Sequence, residues 1–283
     1  MPAPKKSLGQ HWLFDEASLD AMLVAGEVTT ENTVLEVGPG LGTLTAKLCQ
    51  NAKEVIAVEL DDTLATELKG NTLRHLERSK AQPKDLVSNT DQILRQAQDD
   101  ITNLTVVNQS ILEFDLSTLP KNYKVIANIP YYLTSNLIRR LLESANPPRV
   151  MALLVQKEVA ERIAAKPGQM SILTVATQFC AEVELKELVP AELFTPPPKV
   201  DSQIIQIKRR ETQLFPDVDT KKFFHLVRAG FSEKRKKLRS SLSGGLNISK
   251  VEADQLLQKA SISLNTRAQE LSLRDWHNLY KNI

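Results

Sequence analysis

The stretch VLEVGPGLGTLT, residues 34–45, decides the fold of this 283-residue chain. A short β-rich run, TVLEV at 33–37, leads into three glycines with the spacing G-x-G-x-G, and a helical pattern begins at Thr43. Glycines at such a turn let the backbone approach a ligand closely, and the helix that follows points its first N–H groups at whatever lies above it. The pattern therefore predicts a strand–turn–helix unit that binds a ligand, although a plain tight connection uses the same residues.

The second apolar run, EVIAV at 54–58, ends at Glu59. A carboxylate at that point accepts hydrogen bonds from both hydroxyls of a ribose. A dinucleotide fingerprint, G-x-G-x-x-G, needs a glycine where this chain has Thr43, so a pyrophosphate site is disfavoured. The spacing favours a cofactor with a ribose and an amino-acid tail, such as S-adenosylmethionine.

Further short β-rich runs follow along the chain, and polar segments with helical periodicity separate most of them. They lie at residues 104–107, 124–127, 150–155, 183–189 and 201–210. Strands that alternate with helices predict an α/β fold, with a Rossmann-like parallel sheet covered by helices on both faces. From about residue 215 only helical periodicity remains, which predicts a small all-helical C-terminal domain.

The domain boundaries follow from this change of pattern. We expect one domain over residues 1–210 and a helical domain over residues 211–283. Residues 70–103 are polar and broken by Pro83, and we interpret them as the end of a helix, a mobile loop and a short second helix. A surface insertion is the favoured explanation of this segment, and an RNA-contacting lid is the alternative.

The run VIANIPYYLTS, residues 125–135, ends a buried strand in an unusual way. Pro130 cannot donate a backbone hydrogen bond, so a central strand has to stop there. An amide, a proline and two tyrosines then follow where a plain turn uses Gly, Asn or Asp. We therefore expect a flat polar ligand to bind at this run.

Charge is unevenly distributed along the chain. Residues 206–283 hold 16 Lys/Arg against 8 Asp/Glu, whereas residues 1–205 hold 20 against 26. A basic C-terminal third suggests a polyanionic partner, with a solvated helical face as the alternative.

No run of about 18 apolar residues exists, so no membrane partner is expected. Two cysteines, Cys49 and Cys180, form no disulfide framework or metal spacing, and they fit a reducing cytoplasm.

Six blocks of the sequence resemble the rRNA adenine N6-dimethyltransferases, most closely the bacterial small-subunit enzymes of the KsgA type. In chain order they are KKSLGQHWLFD, VLEVGPGLGTLT, VIAVELD, NIPYYLTS, LLVQKEVAERIAA and FTPPPKVDSQI. The resemblance implies a class I methyltransferase sheet, S-adenosylmethionine as cofactor, and transfer of methyl groups to N6 of two adjacent adenosines near the 3′ end of 16S rRNA. The implied partner is 16S rRNA within the small ribosomal subunit or its precursor, during ribosome biogenesis.

The resemblance also implies roles for individual residues. The implied cofactor-binding residues are His11, Leu13, Gly38, Gly40, Glu59, Ser110 and Asn128. The implied catalytic residues are Asn128, Pro130, Tyr131 and Phe194, with a backbone carbonyl near Ile129 or Pro130 as a second acceptor for the target amino group. The rRNA contacts are expected at Lys199, Arg228, Arg235, Lys236, Lys237 and Arg239, although Lys199 is also explained as a simple surface lysine.

Ser110 departs from the family pattern, which usually has Asp at this position. An Asp accepts a hydrogen bond from the cofactor's adenine with a full charge behind it, whereas a serine hydroxyl accepts more weakly. Either the cofactor affinity is lower, or Asn108 or Gln109 substitutes.

Two other functions stay open at this point. One is a large-subunit rRNA adenine methyltransferase of the macrolide-resistance type, which shares the NIPY motif. The blocks FTPPPKVDS and RAGFSEKRKKLRSSL argue against it. The other is a non-catalytic rRNA-binding assembly factor with the same fold, against which Glu59, Asn128 and Tyr131 argue. We expect a cytoplasmic monomer.

Overall fold

The computed structural model describes residues 4–5, 9–80, 102–233 and 235–283. Its strands are β1 (Trp12–Leu13), β2 (Thr33–Val37), β3 (Glu54–Glu59), β4 (Leu104–Asn108), β5 (Lys124–Asn128), β6 (Val150–Gln156), β7 (Ala181–Val189), β8 (Phe194–Thr195) and β9 (Ser202–Arg209). Its α-helices are α1 (Glu16–Ala25), α2 (Thr43–Asn51), α3 (Asp62–Lys80), α4 (Thr134–Glu143), α5 (Lys157–Ile163), α6 (Ile172–Cys180), α7 (Thr220–Gly230), α8 (Leu238–Leu246), α9 (Lys250–Lys259) and α10 (Leu273–Tyr280).

Seven strands form one sheet in the order β4-β3-β2-β5-β6-β9-β7. The pairs among β2, β3, β4, β5 and β6 are parallel, and β9 runs antiparallel to β6. All seven strands were expected from the apolar runs, and the Rossmann-like α/β class is confirmed. The sheet differs from the predicted parallel sheet in one respect, because β9 runs antiparallel to β6.

The strand order reverses between β2 and β5, because the chain passes from β2 to β3 and β4 on one side and then continues at β5 on the other. In open α/β sheets, ligands bind at the carboxyl ends of the strands that flank such a reversal. The glycine turn follows β2 and the NIPY turn follows β5, so the fold brings the two predicted ligand-binding turns to the same point.

The chain divides into two compact units. Unit 1 comprises residues 1–160 and 184–209, and unit 2 comprises residues 161–183 and 210–283. The boundary at 209/210 lies one residue from the predicted one. Residues 161–183 differ from the prediction, which assigns them to the first domain.

The side chains of α6 explain why this segment belongs to unit 2. The Phe179 ring stacks on Phe223 with centroids 4.9 Å apart, and Phe224 meets it edge-on at 5.4 Å. Gln269 accepts two backbone N–H groups through its carbonyl, from Gly168 at 2.9 Å and Met170 at 3.0 Å. Aromatic packing and these bonds fix the segment within a core formed mainly by α7, α8, α9 and α10.

Residues 211–283 contain only helices and turns in the part that the structure describes, as expected. The helix predicted to end within residues 70–103 continues to Lys80. The loop and second helix predicted after it fall on residues 81–101, which lie outside the described residues. No helix in the described ranges has both the length and the apolar character needed to cross a membrane.

Candidate active site

A cavity lies at the carboxyl ends of β2, β3 and β5, and residues of unit 1 alone line it. It is bounded by the segment after Gly9, the glycine turn, the end of β3, the segment after β4 and the NIPY turn. Nine of the ten predicted cofactor-binding and catalytic residues line it: His11, Leu13, Gly38, Gly40, Glu59, Ser110, Asn128, Pro130 and Tyr131.

The glycine turn has the backbone conformation that its composition predicts. Gly38, Gly40 and Gly42 have φ angles of +66°, +59° and +83°, which side chains with a Cβ rarely adopt. A Cβ on Gly42 would also lie 2.8 Å from the Thr72 hydroxyl oxygen and 3.3 Å from the Thr72 backbone nitrogen. The turn therefore depends on glycine both for its path and for the packing of α3 against it.

The Glu59 carboxylate, at the end of the neighbouring strand β3, forms a hydrogen bond with the backbone of the glycine turn. Its Oε2 accepts the Gly40 N–H at 3.1 Å and its Oε1 accepts the Asp61 N–H at 2.9 Å. Burial raises the pKa of Glu59, and these backbone N–H groups lower it. Each carboxylate oxygen has a second lone pair, so Glu59 holds the turn in place and still has capacity for the hydroxyls of a bound ribose.

Residues 9–14, here called the N-terminal arm, lie over this site. The Asn128 Nδ2 donates to the His11 carbonyl at 3.1 Å, and the Thr43 hydroxyl donates to the Leu13 carbonyl at 3.0 Å. His11 Nδ1 donates to the Pro196 carbonyl at 2.7 Å. Strand β1 of the arm pairs with β8. The Gln10 side-chain amide donates to the buried Asp61 carboxylate at 3.4 Å. The arm is thus fixed to both predicted ligand-binding turns.

The NIPY turn is a single 3-10 turn, Tyr131–Leu133, that leads into α4. The Pro130 carbonyl accepts the Leu133 N–H at 2.9 Å. The Tyr131 hydroxyl lies 2.8 Å from the Ser202 hydroxyl, and its ring lies nearly parallel to the His11 ring, with centroids 5.8 Å apart. Tyr131 is therefore held at both its ring and its hydroxyl.

Ser110 lines the cavity in the segment after β4. Its hydroxyl oxygen accepts the Leu112 N–H at 3.2 Å. Of the two proposed substitutes, Asn108 donates its amide to the Glu59 carbonyl at 3.1 Å, whereas Gln109 lines the cavity. Gln109 is therefore the better placed of the two to assist Ser110.

Phe194 is the one predicted catalytic residue that does not line the cavity. It is 3% exposed, sits in β8 opposite Leu13, and belongs to the core of unit 1. Phe194 and Leu13 of the N-terminal arm belong to the same hydrophobic cluster. Its role as the second wall of the base pocket stays a prediction from the resemblance.

The predicted rRNA contacts divide into exposed and paired side chains. Lys199 in unit 1 and Arg228, Arg235 and Lys236 in unit 2 are exposed. Lys237 is exposed too, although it donates to the Asn265 side chain at 2.7 Å, whereas the half-buried Arg239 forms an ion pair with Asp254 at 2.6 Å. Arg239 thus serves the packing of unit 2 and is less available to a phosphate than the prediction supposes.

Glu36 is the buried residue whose importance the sequence did not reveal. It lines the cavity floor in β2, it is 1% exposed, and neither carboxylate oxygen has a hydrogen-bond partner among the described residues. Burial is the main cause that raises its pKa from 4.5 to about 8; the Glu59 charge acts in the same direction, and the nearby Thr45 hydroxyl acts against them. The one available signal was a charged residue within an otherwise apolar strand, VLEV.

The buried Glu36 predicts a specific dependence of stability on pH. The folded chain retains a proton that the unfolded chain has released, because the pKa of Glu36 rises from 4.5 to about 8 on folding. Stability is therefore lost as the pH rises from about 4.5 to about 8. Glu36→Gln, which is neutral at every pH, should be more stable than the wild type at pH 8, on the order of several kcal/mol, and nearly equal at pH 4.5.

Urea unfolding of both proteins across this pH range measures the difference. Glu31→Gln is the matched control, because Glu31 is exposed on the loop before β2 and its change should leave the pH dependence intact. Identical pH profiles for Glu36→Gln and the wild type would contradict the assignment of a neutral, buried Glu36.

Comparisons with known proteins agree with this geometry. The family model described as ribosomal RNA adenine dimethylase matches residues 2–283. A relative from Dehalococcoides mccartyi, named ribosomal RNA small subunit methyltransferase A, is 38% identical over 275 residues, covering 97% of this chain and 87% of the relative. A relative of the same name from Latilactobacillus sakei is 37% identical over 287 residues, covering 97% and 88%.

Solved structures show the same fold. A dimethyladenosine transferase from Plasmodium falciparum has a TM-score of 0.72 at 25% identity, covering 95% of this chain and 96% of its own. The 23S rRNA methyltransferase ErmE has a TM-score of 0.71 at 25% identity, covering 96% and 98%. With a family model that matches nearly every residue and relatives above 30% identity over the same length, this chain belongs to the ribosomal RNA adenine dimethylase family.

Proposed function

We propose that this enzyme transfers methyl groups from S-adenosylmethionine to N6 of two adjacent adenosines in small-subunit 16S rRNA, giving N6,N6-dimethyladenosine. The observation that carries the proposal is the orientation of Asn128. A backbone carbonyl only accepts hydrogen bonds, so the bond from Nδ2 to the His11 carbonyl fixes which way the amide faces. Its Oδ1 is left as an acceptor beside the cavity, where an amino group of a base can donate to it.

The residues of the cavity fit S-adenosylmethionine. The backbone at Gly38 and Gly40 leaves room for the methionine part, the Glu59 carboxylate suits the ribose hydroxyls, and Ser110 stands at the expected adenine edge. The cofactor, when bound, supplies an electrophilic methyl group on a positively charged sulfur. The buried Glu59 carboxylate suits a cation bound above it.

The difficulty of the reaction lies with the nucleophile. The lone pair of adenine N6 is delocalised into the ring, so the amino group has to pyramidalise as it attacks. Acceptors that hold both N–H groups stabilise the positive charge that develops on nitrogen. The Asn128 oxygen is one acceptor. The Pro130 carbonyl already accepts the Leu133 N–H, so the Ile129 carbonyl is the better candidate for the second.

Tyr131 provides the aromatic face that a base needs once it has left its helix. Its hydroxyl contact with Ser202 fixes the ring plane, and the His11 ring partly covers it on one side. The remaining ring surface is the place for the target adenine. No strong general base is required, because the N–H proton becomes acidic once the methyl group is attached. Alignment of amine and methyl at about 3 Å supplies much of the rate.

The choice of 16S rRNA rests on the relatives and on charge. Proteins 37% and 38% identical are named for the small subunit, whereas the similarity to the 23S enzyme is 25% identity. The exposed cations Lys199, Arg228, Arg235 and Lys236 suit phosphate contacts that position the RNA.

We further propose that the enzyme works as a cytoplasmic monomer on the small subunit or its precursor.

The substrate choice is tested by offering the purified protein labelled S-adenosylmethionine and two acceptors. One acceptor is small subunits that lack the dimethyladenosines, and the other is naked large-subunit rRNA. We expect mono- and dimethyladenosine in digests of the small subunit only. Label in the large-subunit rRNA alone would establish the macrolide-resistance type instead. Absence of methyl transfer to both acceptors, with or without binding of the cofactor, would support the non-catalytic assembly factor.

Ser110 generates a prediction about cofactor affinity. Ser110→Asp places a charged acceptor at the adenine edge and keeps an oxygen for the Leu112 N–H, so cofactor binding should tighten by up to about tenfold. Ser110→Ala removes the hydroxyl and should weaken binding by a few fold. Calorimetric titration with S-adenosylmethionine measures both. An unchanged or weaker affinity of Ser110→Asp would show that Ser110 does not face the adenine.

A further inference from the structure

The two tyrosines of the NIPYY run differ sharply in their surroundings. Tyr131 is half-buried and contacts Ser202 and His11, whereas Tyr132 is 61% exposed. All 14 Phe, Trp and Tyr residues of the chain lie in its described part, and Tyr132 is the only one of them that is exposed. An isolated exposed aliphatic residue needs no explanation, but a single exposed aromatic ring beside an active site does.

Tyr132 stands at the mouth of the cavity, directly after the residue proposed to stack on the target base. Its ring lies against Gly9 of the N-terminal arm, since a Cβ built on Gly9 would be 3.7 Å from Cδ1 and 3.8 Å from Cε1. This contact supports the ring from one side and leaves more than half of the side chain free to contact a ligand.

Two further apolar side chains reach the same mouth from other segments. Leu60, after β3, is 50% exposed, and Leu112, after β4, is 40% exposed, and both line the cavity. Leu60, Leu112 and Tyr132 together are called the apolar rim. Leu112 also lines a second cleft, which includes the exposed Arg139 of α4 together with the exposed carboxylates Asp115 and Glu143. An apolar rim around the mouth of the cavity is suited to a ligand with flat apolar faces, such as an unstacked base.

We propose that Tyr132 stacks on the base of a nucleotide next to the target adenosine. The inference rests on the proposed function, because it assumes an RNA whose target base occupies the Tyr131 pocket. A nucleotide extracted from its stack leaves a neighbour with one exposed face, and proteins commonly cover such faces with aromatic rings. The site then binds two consecutive unstacked bases, one on each tyrosine, which suits a target of two adjacent adenosines.

Two variants separate stacking from other roles of the tyrosine. Tyr132→Phe keeps the ring and loses only the hydroxyl, whereas Tyr132→Leu keeps an apolar side chain of similar reach and loses the ring. Base–aromatic stacking predicts wild-type behaviour for Tyr132→Phe and a loss of about 5- to 150-fold in kcat/KM for RNA in Tyr132→Leu. Cofactor affinity, measured by calorimetry, should be the same in all three proteins.

A fluorescent probe tests the stacking itself. Hairpin RNAs carry 2-aminopurine, whose fluorescence is quenched on stacking, immediately 5′ or immediately 3′ of the target adenosine. We expect the wild type and Tyr132→Phe to quench one of the two probes and Tyr132→Leu to quench neither at saturating protein.

Three outcomes would overturn the inference. If Tyr132→Leu quenches the probe like the wild type, the ring does not stack on that base. If Tyr132→Leu loses cofactor affinity in proportion to its loss of transfer, the ring only holds the N-terminal arm against Gly9. If the wild type transfers no methyl group to any rRNA, the proposed function fails and this inference fails with it. In the first two outcomes the wild type still methylates rRNA, so failure of the Tyr132 inference can be distinguished from failure of the proposed function.

Discussion

The hydrogen bond from the Asn128 amide to the His11 carbonyl is the contact on which the arrangement of the site depends. It joins the end of β5 to a segment 117 residues earlier in the chain. The apolar side chains of the N-terminal arm, Trp12, Leu13 and Phe14, pack against the body of unit 1, and these polar bonds fix how its backbone lies over the cavity. The bonds from Thr43 to Leu13 and from His11 to Pro196 add to it. The same set of contacts therefore holds the N-terminal arm over the cavity and fixes the orientation of the Asn128 amide.

The floor of the cavity is set by a different constraint, which is the burial of carboxyl groups. Glu59 offsets part of its desolvation by accepting two backbone N–H groups, that of Gly40 in the glycine turn and that of Asp61 after β3, and the bond from Gly40 also fixes the turn. Glu36 has no such partner within the described residues and is therefore held protonated near neutral pH. A cation bound above both groups favours their charged forms, so occupation of the site and the charge state of its floor are coupled.

Local sequence determined much of this structure and predicted it well. The seven strands were visible because buried parallel strands are short apolar runs bounded by polar segments. Seven of the ten predicted site residues share one cavity because the turns after parallel strands meet at one edge of the sheet, and the N-terminal arm adds His11 and Leu13. Residues 161–183 escaped prediction because the contacts of Phe179 in α6 with Phe223 and Phe224, more than 40 residues later, assign the segment to unit 2. Phe194 and Arg239 likewise depend on long-range partners, Leu13 and Asp254, which no local pattern specifies.

The most direct test of the central claim compares methyl transfer to small subunits by Asn128→Ala with that of the wild type. Asn51→Ala is the matched control, because Asn51 is exposed in unit 1 and also donates its amide to a backbone carbonyl, that of Lys47 at 2.8 Å. We predict that Asn128→Ala loses about 10²- to 10³-fold in kcat, the cost of removing one group that stabilises developing charge, while Asn51→Ala keeps full activity. Wild-type turnover by Asn128→Ala would contradict the claim that this amide holds the target amino group.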